Sequence, residues 1–133
     1  MIKYRFKYIK FGPFYRPVIP IGLKNDHKKI DYLALIDSGA DFNIFHGEIA
    51  EVLGINLQTL KKIPFGGIKK GPDAEGFYTV IEIGVQNSFF NAPVVFSYDI
   101  SNDGYGILGQ QGFFNFFRVK MDYAAKSIQL KKI

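Results

Sequence analysis

The chain has 133 residues, 47% of them hydrophobic and 22% charged, with 17 Lys and Arg against 12 Asp and Glu for a formal net charge of +5 at pH 7. This composition excludes an intrinsically disordered chain and predicts one domain over residues 1–133 with a hydrophobic core of its own. The absence of cysteine excludes a disulfide framework, a thiolate metal site and a cysteine nucleophile.

Targeting signals and charge set the expected location and partners. The basic N-terminal segment shows no signal-peptide core, and no apolar run approaches the roughly 20 residues that span a bilayer. We therefore expect a cytoplasmic protein without a membrane partner.

The net charge would suit nucleic acid, but the Lys-Lys doublets at 28–29, 61–62, 69–70 and 131–132 are scattered. They indicate a solvated surface, and no nucleic-acid partner is expected.

The N-terminal quarter of the chain is predicted to form strands. Residues 2–11 alternate apolar with basic side chains, a period of two that is typical of a strand with one buried face. Gly12-Pro13 ends this run. Residues 17–23 predict a second strand and residues 30–36 a third, which is strongly apolar. The polar residues 25–29 between them predict a turn.

Two short helices are predicted among further strands. Residues 46–53 carry apolar side chains at helical spacing and are followed by Gly54, a residue typical of the position after a helix. Residues 110–117 predict the second helix. Two hairpins are also predicted, and they join the strands 79–85 with 89–96 and 119–121 with 127–130. Many short strands with few helices indicate a mostly β, barrel-like domain.

A carboxylate follows the apolar strand directly, in the sequence Asp37-Ser38-Gly39-Ala40. Burying an ionised carboxylate in apolar surroundings is costly unless a partner pairs with it or shares its proton. A small hydroxyl residue and a glycine suit a tight turn whose backbone N–H groups hold the carboxylate. The pattern predicts a buried turn around Asp37, for which an ordinary turn or capping aspartate is the alternative.

A second motif, Ile107-Leu108-Gly109, lies further along the chain and is followed by Phe113-Phe114 and then by Val119-Lys120-Met121-Asp122. In this order the two motifs resemble one lobe of the aspartic proteases. Because the Asp-Ser-Gly motif occurs once, the chain is most similar to the single-lobed, retropepsin-like aspartic proteases. The resemblance implies an acid-protease-type closed β barrel with two short helices.

The resemblance also implies a function and a set of site residues. The implied protein is a homodimeric aspartic endopeptidase that cleaves peptide or protein substrates without a metal or organic cofactor. Asp37 from each chain would be catalytic, and the rest of its loop would support it, with Ser38 hydrogen-bonding across the dimer axis. The dimer interface would contain these loops and a terminal strand, either residues 2–11 or the basic C-terminus. The expected support and substrate-binding residues are Ser38, Gly39, Ala40, Asp41, Gly66, Gly67, Ile68 and Ile107.

Two of these assignments depend on details of the family pattern. Gly66, Gly67 and Ile68 lie where retropepsins carry the flap, a hairpin that closes over the substrate. Gly71 and Gly76 are expected to belong to the same segment. Retropepsins usually place Arg after the second motif, where it pairs with an acid that corresponds here to Asp41. This chain has Gln110 at that position, so a neutral amide contact is expected to replace the ion pair.

Two motifs have alternative interpretations as other kinds of active site. Ser38 could be a nucleophile with His27 or His46 as its base, but the Gly-x-Ser-x-Gly elbow is absent, and His46 is expected at a helix start. Residues 104–109 satisfy the Gly-x-Gly-x-x-Gly dinucleotide pattern, but the chain contains no other βαβ unit.

Two whole-protein alternatives to the protease remain. One is a catalytically inactive dimerisation or peptide-binding module with the same fold. The other is a nucleic-acid-binding barrel, which rests on the basic charge and on the 14 Phe and 8 Tyr residues. Most of these aromatic residues fall on strand positions that face the core, which favours the protease.

Overall fold

The computed structural model describes residues 2–65 and 74–133. Twelve strands, one α-helix and one 3₁₀ helix occur in these residues: β1 Lys3–Lys7, β2 Ile9–Phe11, β3 Phe14–Arg16, β4 Val18–Asn25, β5 Lys28–Ile36, β6 Asn43–His46, α1 Gly47–Val52, the 3₁₀ helix Leu57–Thr59, β7 Lys61–Phe65, β8 Ala74–Val85, β9 Ser88–Ser97, β10 Gly106–Leu108, β11 Phe117–Asp122 and β12 Ser127–Lys132. The mostly β architecture predicted from the sequence is confirmed.

The main sheet closes on itself as a barrel. Its strands follow the order β4-β5-β10-β6-β9-β8, and β8 pairs back onto β4 to complete a ring of six. Strand β7 extends the sheet from β8. Two of the pairings are parallel, β5 with β10 and β6 with β9, and the others in the ring are antiparallel. Closure pairs the edges of β4 and β8 that would otherwise be free to pair with other chains.

The interior of the barrel is packed with apolar side chains from every strand of the ring. The fully buried large residues include Ile19, Leu23, Phe45, Ile83 and Phe96. Burial of a side chain of this size stabilises the fold by about 1.5–3 kcal/mol relative to leaving it exposed. The barrel therefore provides a rigid frame at the ends of β5 and β10, where both sequence motifs lie.

Outside the barrel, the two termini form a separate three-stranded sheet with the order β1-β12-β11. Its inner face contributes Tyr4, Ile128 and Leu130 to the core. The predicted strand over residues 2–11 is interrupted at Tyr8, whose N–H donates to the Lys126 carbonyl at 2.9 Å. The chain then forms the small β2–β3 hairpin around Gly12, which has φ +57°.

The first predicted helix is confirmed and the second is wrong. Helix α1 spans Gly47–Val52, with His46 as N-cap and Gly54 at φ +72° after its end. Residues 110–116 form a series of turns instead of a helix. Gly112 there has φ +106°, outside the right-handed helical region, and its N–H donates to Asn115 Oδ1 at 2.9 Å. The short 3₁₀ helix was not predicted.

Backbone conformation and packing, not nucleotide binding, account for the glycine pattern over residues 104–109, and Gly104 has φ +88° in open space. A Cβ on Gly106 would overlap the ring of Phe45, and one on Gly109 would overlap the carbonyl oxygens of Ala40 and Phe42. These glycines allow β10 to approach its neighbours closely, and turns follow the pattern instead of a helix. The dinucleotide interpretation is therefore wrong.

In the described ranges, no helix is long and apolar enough to cross a membrane.

Candidate functional site

The loop that contains Asp37 begins where β5 ends, and backbone hydrogen bonds fix its shape. The Asp37 N–H donates to the Leu108 carbonyl at 2.9 Å, which continues the β5–β10 pairing one residue into the loop. The Ala40 N–H donates to the Asp37 carbonyl at 3.1 Å and closes a tight turn. The Gly39 N–H donates to Asp37 Oδ1 at 2.9 Å, so a backbone donor holds the carboxylate as predicted.

The loop is more open than the sequence indicated. Asp37 and Ala40 are half-buried, whereas Ser38, Gly39 and Asp41 are exposed. The prediction of a buried turn is therefore wrong for the single chain. The physical reason is the position of the loop, because Ile36 at the end of β5 is buried but the turn extends past the end of the sheet. An exposed tip next to a half-buried carboxylate is available for contact with another molecule.

A second segment, directly after β10, supports the loop from the side. The Gln110 side-chain amide donates to the Ser38 carbonyl at 2.7 Å, and its backbone N–H donates to the Ala40 carbonyl at 2.8 Å. The Gln111 N–H donates to the Asp41 carbonyl at 2.8 Å. The two sequence motifs are thus brought together as a pair of hydrogen-bonded segments. The expected amide contact is present, and its acceptor is the Ser38 carbonyl and not the Asp41 carboxylate.

Asn43 is a site residue that the sequence analysis missed. Its side chain is fully buried, and Oδ1 accepts from the Gly109 N–H at 3.1 Å. Its Nδ2 donates to the Pro93 carbonyl, also at 3.1 Å. The side chain therefore links the segment after β10 to β9 directly beneath the Asp37 loop. A polar residue at the start of the apolar run Asn43-Ile44-Phe45 was the available signal, because a buried amide needs hydrogen-bond partners.

Known structures share this architecture. A retropepsin-like aspartic protease from Rickettsia conorii superposes with a TM-score of 0.68 at 16% identity, over 97% of this chain and 91% of that chain. The retroviral protease-like domain of Ddi1 from Leishmania major gives 0.57 at 15% identity, over 89% and 90%. The EIAV protease in complex with the inhibitor HBY-793 gives 0.52 at 18% identity, over 77% and 88%.

The chain has the retropepsin fold. This confirms the resemblance inferred from the two motifs. No protein-family model and no curated protein matches the sequence, so the likeness lies in the three-dimensional structure. Within the retropepsin fold, the Asp37 loop and the segment after β10 are the two regions that the sequence motifs had identified.

A hairpin occupies the region predicted to contain the flap. Strands β7 and β8 pair from Lys61–Tyr78 to Phe65–Ala74, and Gly66, Gly67, Ile68 and Gly71 lie outside the described residues. Gly76 lies within β8 itself. Its role is close packing, because a Cβ there would overlap Val95 and come within 2.8 Å of the Phe65 ring.

Side chains from the barrel hold the base of this hairpin. The fully buried Ser97 donates from its hydroxyl to the Glu75 carbonyl at 2.6 Å. The Asp99 carboxylate accepts from the Glu75 N–H at 2.9 Å, and the Asp99 N–H donates to the Ser97 hydroxyl at 3.0 Å. Both backbone groups of Glu75 are therefore satisfied by side chains from the end of β9 and the segment just after it, which fixes where β8 extends beyond its pairing with β9.

The remaining candidate residues are distributed as follows. Ile107 is half-buried in β10, where it pairs with Leu35 and Ile44. His46 caps α1, with Nδ1 accepting from the Glu48 N–H at 3.1 Å, which confirms its predicted place at the helix start. His27 is exposed in the turn between β4 and β5. Among residues 2–65 and 74–133, no three His, Asp or Glu side chains are grouped so as to hold a metal ion.

Proposed function

We propose that the protein is a homodimeric aspartic endopeptidase in which Asp37 from each of two chains forms the catalytic pair. The observation that carries this proposal is the Asp37 loop itself, in which a half-buried carboxylate held by the Gly39 N–H lies beside an exposed tip. One chain supplies a single such carboxylate in a retropepsin fold. A second copy that contributed its own Asp37 loop would complete a two-carboxylate site.

The proposed chemistry follows from placing two carboxylates together. Like charges a few ångströms apart cannot both ionise cheaply, so the pair shares one proton, an effect for which aspartic proteases are the established example. The ionised Asp37 takes a proton from a water molecule held between the two, and this water attacks the scissile carbonyl. The protonated Asp37 polarises that carbonyl and later donates to the leaving nitrogen.

The surrounding residues are proposed to position the loop and the substrate. Gln110 and Asn43 hold the loop through the Ser38 carbonyl and the Gly109 N–H. The β7–β8 hairpin is proposed as the flap, and Ile107 as part of an apolar pocket for an extended peptide bound in β conformation. Ser38 is proposed to contact the partner chain, because it is exposed in the single chain.

The substitution Asp37→Asn tests the catalytic assignment. The amide is nearly isosteric, so the fold and the dimer are expected to persist, while hydrolysis of a denatured protein substrate falls to background because no base remains to activate the water. Asp31→Asn is the matched control, since Asp31 is an exposed carboxylate on the same strand β5. Wild-type turnover in Asp37→Asn, or equal losses in both variants, would contradict the proposal.

Sedimentation tests the dimer separately from the chemistry. Both the wild type and Asp37→Asn are expected to sediment as dimers, because the proposed site requires two chains whether or not it is active. A wild type that stays monomeric at high concentration and retains full activity would exclude a shared active site.

One observation favours a second function, a catalytically inactive dimerisation or peptide-binding module. Gln110 stands where retropepsins usually place Arg, so the loop is supported by a neutral amide and not by a charged side chain. The same assays decide between the two functions. A dimeric wild type that cleaves no member of a diverse peptide library, and behaves like Asp37→Asn, supports the inactive module.

A further inference from the structure

The outer face of the terminal sheet collects cationic side chains that are far apart in the sequence. Residues that pair across β1, β12 and β11 point to the same face, and they form the rows Lys3–Lys131–Arg118, Arg5–Gln129–Lys120 and Lys7–Ser127–Asp122. The opposite face packs Tyr4, Phe117, Ile128 and Leu130 into the core. We call the six cations of these rows the cationic face: Lys3, Arg5, Lys7, Arg118, Lys120 and Lys131.

This face accounts for the net charge of the protein. The rows contain six of the 17 cationic side chains and one of the 12 anionic side chains, Asp122. The remaining eleven positive charges and eleven negative charges cancel. The scattered lysine doublets are therefore a poor guide to the folded surface. The fold concentrates the excess positive charge on one side of one sheet.

The arrangement is costly for the chain in isolation. Like charges directly opposite on neighbouring strands destabilise a sheet, and the first row places three cations side by side. Within the described residues, none of the six forms an ion pair with Asp or Glu. Lysines on an edge strand can protect it from aggregation, but that does not account for Lys131, which lies on the central strand β12.

A trough runs along the face between β1 and β12. Its volume is about 390 Å³, and it is lined by Arg5, Phe6, Lys7, Ser127, Ile128 and Gln129. Two of the three arginines in the chain belong to the face. Arginine forms paired hydrogen bonds with phosphate or carboxylate groups, so Arg5 makes the trough suited to an anionic group.

Exposed aromatic side chains adjoin the end of the face where Lys7 and Asp122 lie. Tyr123 follows β11 and is 61% exposed, and its ring packs against Tyr8 with centroids 5.9 Å apart. Lys126 lies 3.5 Å from the Tyr123 ring centroid and 5.4 Å from that of Tyr15. Tyr15 and its neighbour Phe14 are 41% and 62% exposed at the β2–β3 hairpin. Cations and exposed rings are thus interleaved at this end.

We propose that the cationic face and the adjoining aromatic pair (Tyr15 and Tyr123) form a binding site for single-stranded nucleic acid. Cations along the face would follow the phosphates, and exposed rings at its end would stack with bases. An acidic polypeptide would use the cations but not the rings. A second copy of this chain is disfavoured as the occupant, because it would present the same positive charge. The proposal is independent of the proposed proteolysis.

Binding of a fluorescent oligothymidylate of about 12 nucleotides, measured by anisotropy, tests the proposal. Three to six phosphate contacts predict an affinity that falls about 20- to 300-fold between about 50 and about 200 mM salt. The combined substitution Lys3→Gln, Arg5→Gln and Lys7→Gln is expected to weaken binding at least about tenfold and to flatten the salt dependence.

A matched control removes the same charge elsewhere. Lys28→Gln, Lys29→Gln and Lys61→Gln together neutralise three exposed lysines off the face, and binding is expected to stay within about twofold of wild type. The double substitution Tyr15→Ala and Tyr123→Ala is expected to weaken binding about fivefold with an unchanged salt dependence, because stacking releases no counterions. Circular dichroism checks that each variant is folded.

Three results would overturn the proposal. The first is the absence of oligonucleotide binding by the wild type at low salt. The second is an equal loss in the two triple variants, which would mean that net charge and not the face determines binding. The third is tighter binding of poly-glutamate or of phosphatidylserine vesicles than of the oligonucleotide, which would assign the face to an acidic polypeptide or a membrane surface instead.

Discussion

The buried side chain of Asn43 offers a direct test of how the candidate site is held together. In Asn43→Ala, the Gly109 N–H loses its acceptor at 3.1 Å and the Pro93 carbonyl loses its donor at the same distance. Gly109 is buried, so its N–H has no route to water, and an unsatisfied buried donor costs about 1–3 kcal/mol. Pro93 is half-buried, and its carbonyl adds up to about 1 kcal/mol. We expect a loss of about 1–4 kcal/mol in the free energy of unfolding.

This loss is a large fraction of the roughly 5–15 kcal/mol that stabilises a typical domain. Urea unfolding of the wild type and the variant at equal protomer concentration measures it, because association would make the midpoint depend on concentration. Asn91→Ala is the control, since Asn91 is an exposed asparagine on β9 and its loss is expected to stay within about 0.5 kcal/mol. If Asn43→Ala is no less stable than Asn91→Ala, Asn43 does not link the two segments.

Two further substitutions test the packing of the hairpin and the support of the loop. Gly76→Ala places a methyl group against Val95 and the Phe65 ring, so it is expected to lower the free energy of unfolding by about 1–3 kcal/mol. Urea unfolding measures this loss. An unchanged unfolding midpoint would show that β7 and β8 move apart freely. Gln110→Ala removes the amide that donates to the Ser38 carbonyl, and because both groups are exposed its effect on stability is expected to stay below about 1 kcal/mol. If the proposed protease activity holds, the same change is expected to lower kcat about 3- to 10-fold through a less ordered loop, and an unchanged kcat would remove Gln110 from the positioning residues.

Local patterns were sufficient to predict most of the elements. The alternation in residues 2–11 and the apolar run in residues 30–36 each correspond to observed strands, and the spacing in residues 46–53 corresponds to α1. The helix prediction for residues 110–117 was wrong, although their phenylalanines recur at helical spacing. Phe113 and Phe117 lie with ring centroids 5.1 Å apart in the core, and turns around Gly112 bring them together. A single backbone turn, closed by the Phe117 N–H and the Phe113 carbonyl at 3.0 Å, produces this spacing without a continuous helix.

The geometry of the candidate site was less predictable than its position. The two motifs located the Asp37 loop and the segment after β10, but the openness of the loop depends on where the strand ends relative to the sheet. The contribution of Asn43 depends on its contact with Pro93, which is 50 residues away in sequence. Closure of the barrel by the pairing of β4 with β8 is similarly long-range. No local sequence pattern indicates which residues so far apart in the sequence come into contact.

The charge distribution bears on how two copies could meet. The terminal strands were expected to join the dimer interface, yet β1 already pairs with β12 of its own chain, and both edges of the terminal sheet carry cations. Antiparallel pairing of two β1 edges around Arg5 would set Lys3 of each copy opposite Lys7 of the other, and like-charged cross-strand pairs are destabilising. The exposed tip of the Asp37 loop carries no cation of its own. Repulsion between the β1 edges therefore disfavours an interface built from them, so the proposed dimer is expected to leave the cationic face free for the proposed anionic partner.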